Sequence, residues 1–503
     1  MRILLIEPPT NTFTGLVKRG YPLGLCLLAA IAREEKVEAV KVYDVDKCHV
    51  ATHGLNFTDQ RQNMALFLAG VNDERHPIWS EIERTLNMFR PDLVGITTMT
   101  ISYASALRTA KLVKKWNENC TVIMGGSHAS VMPGAMIAWP YIDAIVKGEG
   151  EEAFRAIIGG LTSGDGGLSD IPGVVTKDTP DKIFAPPLEM EDLDSLPLPD
   201  RSALLSPECF SGEDMGLILT SRGCPFHCSY CSNFTRKTRF RSVESVIQEV
   251  HDVARRFGTV QFLFKDDSFT VNRKRIFSLC EGFLRKSIRI LWESTTRLDL
   301  IDDSLVRLMK RSGCNRVGVG VESGDEEILQ IMNKRLSREK IKAGTQLLNS
   351  QGMFWTGYFM MGLPMETEEQ MLRTLEFMRE LRPPYAAIGI YKPYPGTKLF
   401  DMAVDLGLVE ARVDNDHFFK TNPVDYFLKD PLRRTAYISQ ERLRELTALM
   451  EREFDHSNKR PRNIVKRALA RRRLYYKSPG SFTNDVKRAA KWIAPFRGLK
   501  RPA

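Results

Sequence analysis

Short apolar runs alternate with longer stretches whose apolar residues recur at helical spacing, and this alternation fills most of the chain. In the first part the pattern predicts strands at Arg2–Ile6, Val40–Asp44, Leu93–Thr98, Thr121–Gly125 and Ala144–Lys147. Helices are predicted near 22–34, 74–89, 103–118 and 151–158. Five β-branched strands with helical crossovers predict a parallel, doubly wound sheet in an α/β fold. A second block predicts strands near Gly216–Thr220, Val260–Lys265, Ile288–Glu293, Arg316–Glu322, Trp355–Met361 and Ala387–Tyr391. Its helices are predicted near 242–256, 272–286, 301–312, 337–350 and 367–380. Six β/α units suggest a partial barrel.

Between the blocks, Gly164-Asp165-Gly166-Gly167, Pro197 and Pro199 punctuate a boundary. Ile171–Val175 reads as a short extra strand pair, and Arg201 as a residue that touches either block or only turns the chain. The expected domains are therefore 1–158, a linker at 159–215, a barrel fragment at 216–400, an extension at 401–455 and a tail at 456–503.

Ligands of parallel sheets bind outside the carboxyl ends of the strands. In the first block those ends hold Gly125-Gly126-Ser127-His128-Ala129 and Gly148-Glu149-Gly150-Glu151. No G-x-G-x-x-G follows the first strand, which argues against a dinucleotide site. In the second block every end is polar: Lys265-Asp266-Asp267, Glu293 to Arg297, Glu322-Ser323-Gly324, Gly362 to Thr367, and Tyr391-Lys392. Taken singly, each could cap an element or pair a surface charge. Thr367-Glu368-Glu369 also suits a helix start, which would make Glu366 and Thr367 structural.

Charge changes the picture only at one end. The net charge is +10, yet residues 456–503 hold fifteen Lys or Arg and one acid, leaving 57 basic and 61 acidic residues before them. The basicity belongs to the tail and gives no argument for nucleic acid as substrate. Ile464, Val465, Ala468 and Leu469 recur at helical spacing among Lys466, Arg467 and Arg471–Arg473, and Tyr475, Tyr476, Trp492 and Phe496 add aromatics. The tail fits a helix on an anionic membrane, a docking arm for an acidic partner, or a solvated basic segment. The first strand is too short and too early in its prolines to be a signal peptide. No apolar stretch reaches spanning length. Nine cysteines without a disulfide framework imply a reducing cytoplasm. His417, in the aromatic stretch Asp416-His417-Phe418-Phe419, is the histidine of the extension to test for a substrate contact.

The most specific chemistry lies in Cys224-Pro225-Phe226-His227-Cys228-Ser229-Tyr230-Cys231. Three thiolates suit a four-iron cluster with one iron left open. A zinc site with His227 as fourth ligand is the alternative, although zinc knuckles favour paired cysteines across a long spacer. The spacing C-x3-C-x-Tyr-Cys resembles the signature of the radical S-adenosylmethionine (SAM) enzymes. The first block, with Pro22-Leu23-Gly24-Leu25 and the two glycine loops, resembles the Rossmann-like cobalamin-binding domain of one branch of that superfamily. The D-x-H-x-x-G cobalt-ligand motif of some relatives is absent: Asp44 to His49 has the wrong spacing, and His53-Gly54 also fails it.

The resemblance implies three cofactors: one 4Fe-4S cluster, SAM and cobalamin. It implies Cys224, Cys228 and Cys231 as cluster ligands. It assigns SAM to Tyr230, Asp266, Asp267, Glu293, Glu322, Ser323, Gly362 and Tyr391. It assigns cobalamin to Pro22, Leu23, Thr98, Met99, Gly125, Gly126, Ser127, His128, Gly148, Glu149 and Gly150. Arg297 or Lys392 would meet a carboxylate of SAM or substrate. The implied reaction is methylation of an unactivated carbon of a small or lipid-like molecule, through a 5′-deoxyadenosyl radical and methylcobalamin. A low-potential donor such as flavodoxin or ferredoxin would supply electrons. Cyclisation, ring contraction or oxygen insertion, and a non-catalytic corrinoid- or partner-binding module, are the competing outcomes.

Overall fold

The computed structural model describes residues 1–16, 18–48, 60–164, 167–233, 235–413 and 416–477, with a few single positions up to 486. His49, His53, Gly54, Asp165, Gly166, Trp492 and Phe496 lie outside the described residues. The chain divides into two compact units. One comprises Met1–Met215, Ser232–Arg241 and Lys392–Pro431; the other comprises Gly216–Cys231, Ser242–Tyr391 and Leu432–Ala503. Residues 401–455, expected as one extension, are thus shared between the units.

The first unit is built on β1 (Arg2–Glu7), β2 (Ala39–Asp44), β3 (Leu93–Thr97), β4 (Thr121–Gly125), β5 (Ala144–Val146) and β6 (Val174–Val175). Their order in the sheet is β2-β1-β3-β4-β5-β6. The first five are parallel, with Ile3 opposite both Val40 and Leu93. β6 is antiparallel on β5, and the expected strand pair at 171–175 is this single strand. Ile3 to Ile6 are buried throughout, as both faces of a parallel sheet must be. Helices Leu23–Glu34, Pro77–Phe89, Tyr103–Trp116 and Glu151–Ser163 cover the faces. The strand order reverses between β1 and β3, which puts a crevice beside the loops that follow them.

One expectation fails in this unit. Cys48, just after β2, is disulfide-bonded to Cys209 in the linker, with Cα atoms 5.3 Å apart. The two are 161 residues apart in sequence, so spacing could not reveal the pair. Lys47 beside it bonds Asp214 at 2.8 Å and lies over the Phe210 ring. Arg201 is buried, stacks on Tyr21 and donates to the Met215 carbonyl, all within this unit.

The second unit carries β7 (Leu217–Ile218), β8 (Gln261–Phe264), β9 (Leu291–Thr296), β10 (Cys314–Glu322), β11 (Trp355–Met361) and β12 (Tyr385–Ile390). Each is parallel to its neighbour in sequence. This is the order a six-unit partial barrel requires. The helices between start where short polar side chains cap them: Ser242, Asn272, Asp302, Ser337 and Thr367 each accept from the third residue inside. Thr367 and Gln370 form a reciprocal capping box. β9 begins and ends three residues later than expected. Ser294, Thr295 and Thr296 look like a loop by polarity, but they pair with Val317, Gly318 and Val319 of β10.

Candidate active site

The cysteine loop follows β7, and a fully buried carboxylate holds its entry. Asp266 accepts from Thr220 N at 2.7 Å, Ser221 N at 2.6 Å and the Thr220 hydroxyl at 2.7 Å. Arg275 donates to the Thr220 carbonyl and hydroxyl. Burial pushes the Asp266 pKa upward, and the Thr220 and Ser221 donors oppose the shift. Asp266, expected to meet SAM, holds the chain just ahead of Cys224 with both oxygens. Gly223 precedes the loop with φ of +89°, a conformation that glycine adopts without strain.

Cys224, Cys228 and Cys231 are not disulfide-bonded and are half-buried. The Cys231 N–H donates to the Cys228 carbonyl at 3.2 Å, closing a tight turn between two thiols. Burial, then Asp267 and the other two thiols, push the Cys224 pKa up, against a backbone bond at Phe226. Three thiolates would coexist there only around a cationic centre. Among the described residues no three His, Cys, Asp or Glu side chains converge on one metal ion. A cluster does not need that convergence, because each thiolate takes its own iron. His227 is exposed, and its carbonyl is tied down by Asn333 Nδ2 at 2.7 Å. The donor set fits a cluster better than a closed zinc site.

Behind the loop stands a group that sequence reasoning only half identified. The Tyr230 hydroxyl donates to Glu322 Oε1 at 2.9 Å, and Lys334 Nζ meets the same oxygen at 2.9 Å. Glu322 ends β10 with φ of +67°, a costly value for a side chain this size. Gly320 leaves the room: a Cβ there would lie 2.2 Å from Glu322 Oε1 and 2.7 Å from Lys334 Nζ. Lys334 was missed because it lies in a turn after a helix, away from any strand end.

Several expected SAM contacts are likewise engaged with the protein. The Ser323 hydroxyl bonds Thr374 Oγ1 at 3.0 Å and accepts from Asp325 N. Glu293 lies inside β9, not at its end, and pairs with Arg316 at 3.3 Å. Arg297 pairs with Asp299, donates to the Lys334 carbonyl and stacks on Phe226 at 3.8 Å. Gly362, with φ of +75°, follows β11 and places its N–H on Glu366. Tyr391 is buried after β12 and donates its N–H to Met361 O; Asp267 is exposed and Lys392 half-buried. The carboxyl ends of β8 and β10 thus brace the cysteine loop.

In the first unit the strand-end loops are laced together. Thr98 N donates to Gly125 O at 2.7 Å, His128 N to Thr98 O at 3.1 Å, and Gly148 N to Ser130 Oγ at 2.9 Å. Gly126 (φ +104°) is needed because a Cβ would strike the Thr98 backbone at 2.7 Å. Gly148 (φ +82°) is needed against Leu188 at 2.4 Å. At these two glycines the missing Cβ makes room for neighbouring backbone. Glu149 is bound on both oxygens by Arg239 and also accepts from Met190 N. Pro22 is buried, Leu23, Gly125 and Gly150 are half-buried, and Ser127 is exposed.

Polar atoms of two side chains here have no hydrogen-bond partner among the described residues. The Thr98 hydroxyl and His128 Nε2 are buried and make no hydrogen bond. Thr100 occupies only the other His128 nitrogen, at 3.1 Å. Burial pushes the His128 pKa down to about 3, so the ring is neutral. Such atoms cost free energy unless something meets them. With the half-exposed Met99 beside them, they fit a bound polar cofactor at the end of β3.

Both ring nitrogens of His417 are engaged with the protein. Its Nε2 bonds the Tyr426 carbonyl at 2.6 Å and its Nδ1 meets Thr421 Oγ1 at 3.3 Å. Its neighbour Phe418 is fully buried against Tyr103 and Tyr426. Phe418 thus belongs to the core of the first unit, while Asp416 is exposed and His417 and Phe419 are half-buried.

Residues 218–378 match the radical SAM superfamily, and residues 16–158 match the B12 binding domain. The chain is 30% identical over 477 residues to an uncharacterised methyltransferase of Pyrococcus horikoshii, covering 93% of this chain and 94% of the relative. It is 26% identical over 412 residues to the hopanoid C-3 methylase of Methylococcus capsulatus, covering 79% and 72%. Its fold is similar to that of the radical S-adenosylmethionine methyltransferase TsrM from Kitasatospora setae, with a TM-score of 0.65 and 17% identity over 91% of this chain and 89% of that one.

Proposed function

We propose the reaction of this chain from one premise: the chain belongs to the cobalamin-binding branch of the radical SAM superfamily. Its cofactors are a 4Fe-4S cluster, SAM and cobalamin, and it is a radical SAM enzyme of the methyltransferase kind. Our reading is that it methylates an unactivated carbon of an apolar, lipid-like molecule. When bound, the cluster and SAM supply a hydrogen-abstracting radical and cobalamin supplies the methyl group.

The chain's own residues hold and insulate. Cys224, Cys228 and Cys231 would hold three irons, and Asp266 and Arg275 fix the backbone that leads to them. Thr98 and His128 would meet a polar edge of cobalamin with their unpartnered atoms. No side-chain acid or base is required for the hydrogen abstraction. The observation that carries the reaction is that one chain holds both a three-cysteine loop after β7 and orphaned polar atoms after β3 and β4.

The lipid-like substrate rests on the tail. Helix Pro461–Lys477 buries Asn463 and Leu474 on one face. On the opposite face Val465, Leu469 and Tyr476 are 56%, 52% and 90% exposed. Exposed Arg462, Lys466, Arg472 and Arg473 flank that strip. Ile464, read as part of the strip, is half-buried. An apolar strip edged by cations suits the surface of an anionic bilayer. No helix among the described residues is long and apolar enough to cross a membrane. The enzyme would be fed electrons by a low-potential flavodoxin or ferredoxin. The Methylococcus capsulatus relative acts, by its name, on C-3 of a hopanoid.

Mass spectrometry of anaerobic turnover with lipid extract tests the reading. A product heavier by one methylene unit, formed with 5′-deoxyadenosine, is expected. A product of unchanged carbon count would mean cyclisation or oxygen insertion instead, and no nucleoside release would mean a binding module.

A further inference from the structure

Buried in the second unit, Lys334 is bound to the wall of the cysteine loop and is not used by the reaction described above. It is 5% exposed, with Nζ 2.9 Å from Glu322 Oε1 and 3.3 Å from the Tyr230 hydroxyl. The two residues before it also grip the loop. Ser229 N donates to Met332 O at 2.9 Å, and Asn333 Nδ2 donates to His227 O at 2.7 Å. Arg297 locks the segment from the far side, donating to Lys334 O at 2.8 Å while stacking on Phe226 of the loop. Asn333 and Arg335 on either side take φ of +48° and +55°. The turn is held in an uncommon conformation that presents Lys334 inward.

We infer that Lys334 is a positioning residue that sets the electrostatics of the cluster loop through the Glu322–Tyr230 pair. The buried Glu322 carboxylate has a buried cation as its partner. Lys334 supplies it, and the carboxylate then orients the phenol of the residue between Cys228 and Cys231. The net charge and hydrogen bonds around an iron–sulfur cluster set its reduction potential. Lys334 and Glu322 are therefore opposed contributions to that potential. The inference rests on the family membership, not on the proposed substrate.

The test is redox titration, followed by electron paramagnetic resonance, of the anaerobically reconstituted full chain. Lys334→Met should move the cluster midpoint to a more negative value and alter the spectral change seen on adding SAM. Glu322→Gln should move the midpoint the other way. Lys334→Arg should keep the native midpoint, because the charge remains. Circular dichroism establishes that each variant is folded. If Lys334→Met holds no iron while Lys334→Arg does, the positioning role is supported. The inference is overturned if Lys334→Met and Glu322→Gln leave the midpoint unchanged or shift it in the same direction, or if Lys334→Arg behaves like Lys334→Met.

Discussion

The Glu366 carboxylate accepts the backbone N–H of Gly362 at 2.6 Å, and it does so with no exposure to solvent. The same oxygen takes Leu363 N at 3.1 Å, and the other oxygen has no hydrogen-bond partner among the described residues. Burial raises this group from 4.5 to about 7; the two backbone donors oppose the shift and Asp325 adds to it. A carboxyl whose folded pKa is raised binds its proton more tightly in the folded state. Its favourable contribution is complete at low pH and is lost as pH rises through the folded value. Glu366→Gln, which cannot ionise, should therefore gain stability relative to the native protein between pH 5 and pH 8. At about 1.4 kcal/mol per pKa unit the gain is up to about 3 kcal/mol. Urea midpoints at the two pH values measure it, and a difference that does not change with pH contradicts the assignment.

Asp266→Ala should strip Thr220 N and Ser221 N of their acceptor in a buried place. Two orphaned donors cost on the order of 3 kcal/mol or more. The cysteine loop should lose its register with them. Iron bound per chain after reconstitution should fall for Asp266→Ala and fall less for Asp266→Asn, which keeps one acceptor. Native iron loading in the alanine variant would make Asp266 irrelevant to the loop.

His417→Ala separates packing from substrate contact. Both ring nitrogens are engaged inside the first unit, so the cost should appear as about 1–2 kcal/mol of stability. The KM for substrate should not change. A raised KM with unchanged stability would return His417 to the substrate site.

Leu469→Asp places a charge in the exposed strip of helix Pro461–Lys477. Sedimentation with vesicles containing anionic phosphatidylglycerol should drop several-fold, while native protein should ignore vesicles of neutral lipid alone. Equal sedimentation of both proteins would show that the strip does not touch lipid.

How far the sequence reached depends on whether an interaction is local. Strand and helix positions follow from apolar period and capping residues, and β11 lies at Trp355–Met361 as the pattern predicts. The end of β9 did not follow, because Ser294 to Thr296 are held by pairing across the sheet. The three cysteines were legible because one short loop carries all of them. The residues that brace the loop were not. Lys334 is 104 residues from Tyr230, and Asp266 looked like a ligand contact until its partners at Thr220 and Ser221 were seen. Glycine loops were legible as special backbone, but only Leu188 against Gly148 and Thr98 against Gly126 show what the missing Cβ makes room for.

The most direct test of the whole account is iron content and SAM cleavage of anaerobically reconstituted protein, native and with Cys224, Cys228 and Cys231 all changed to alanine. The native chain should bind about four irons and release 5′-deoxyadenosine on reduction with SAM, and the triple variant should do neither. Zinc in place of iron, or nucleoside release that survives the triple change, would contradict it.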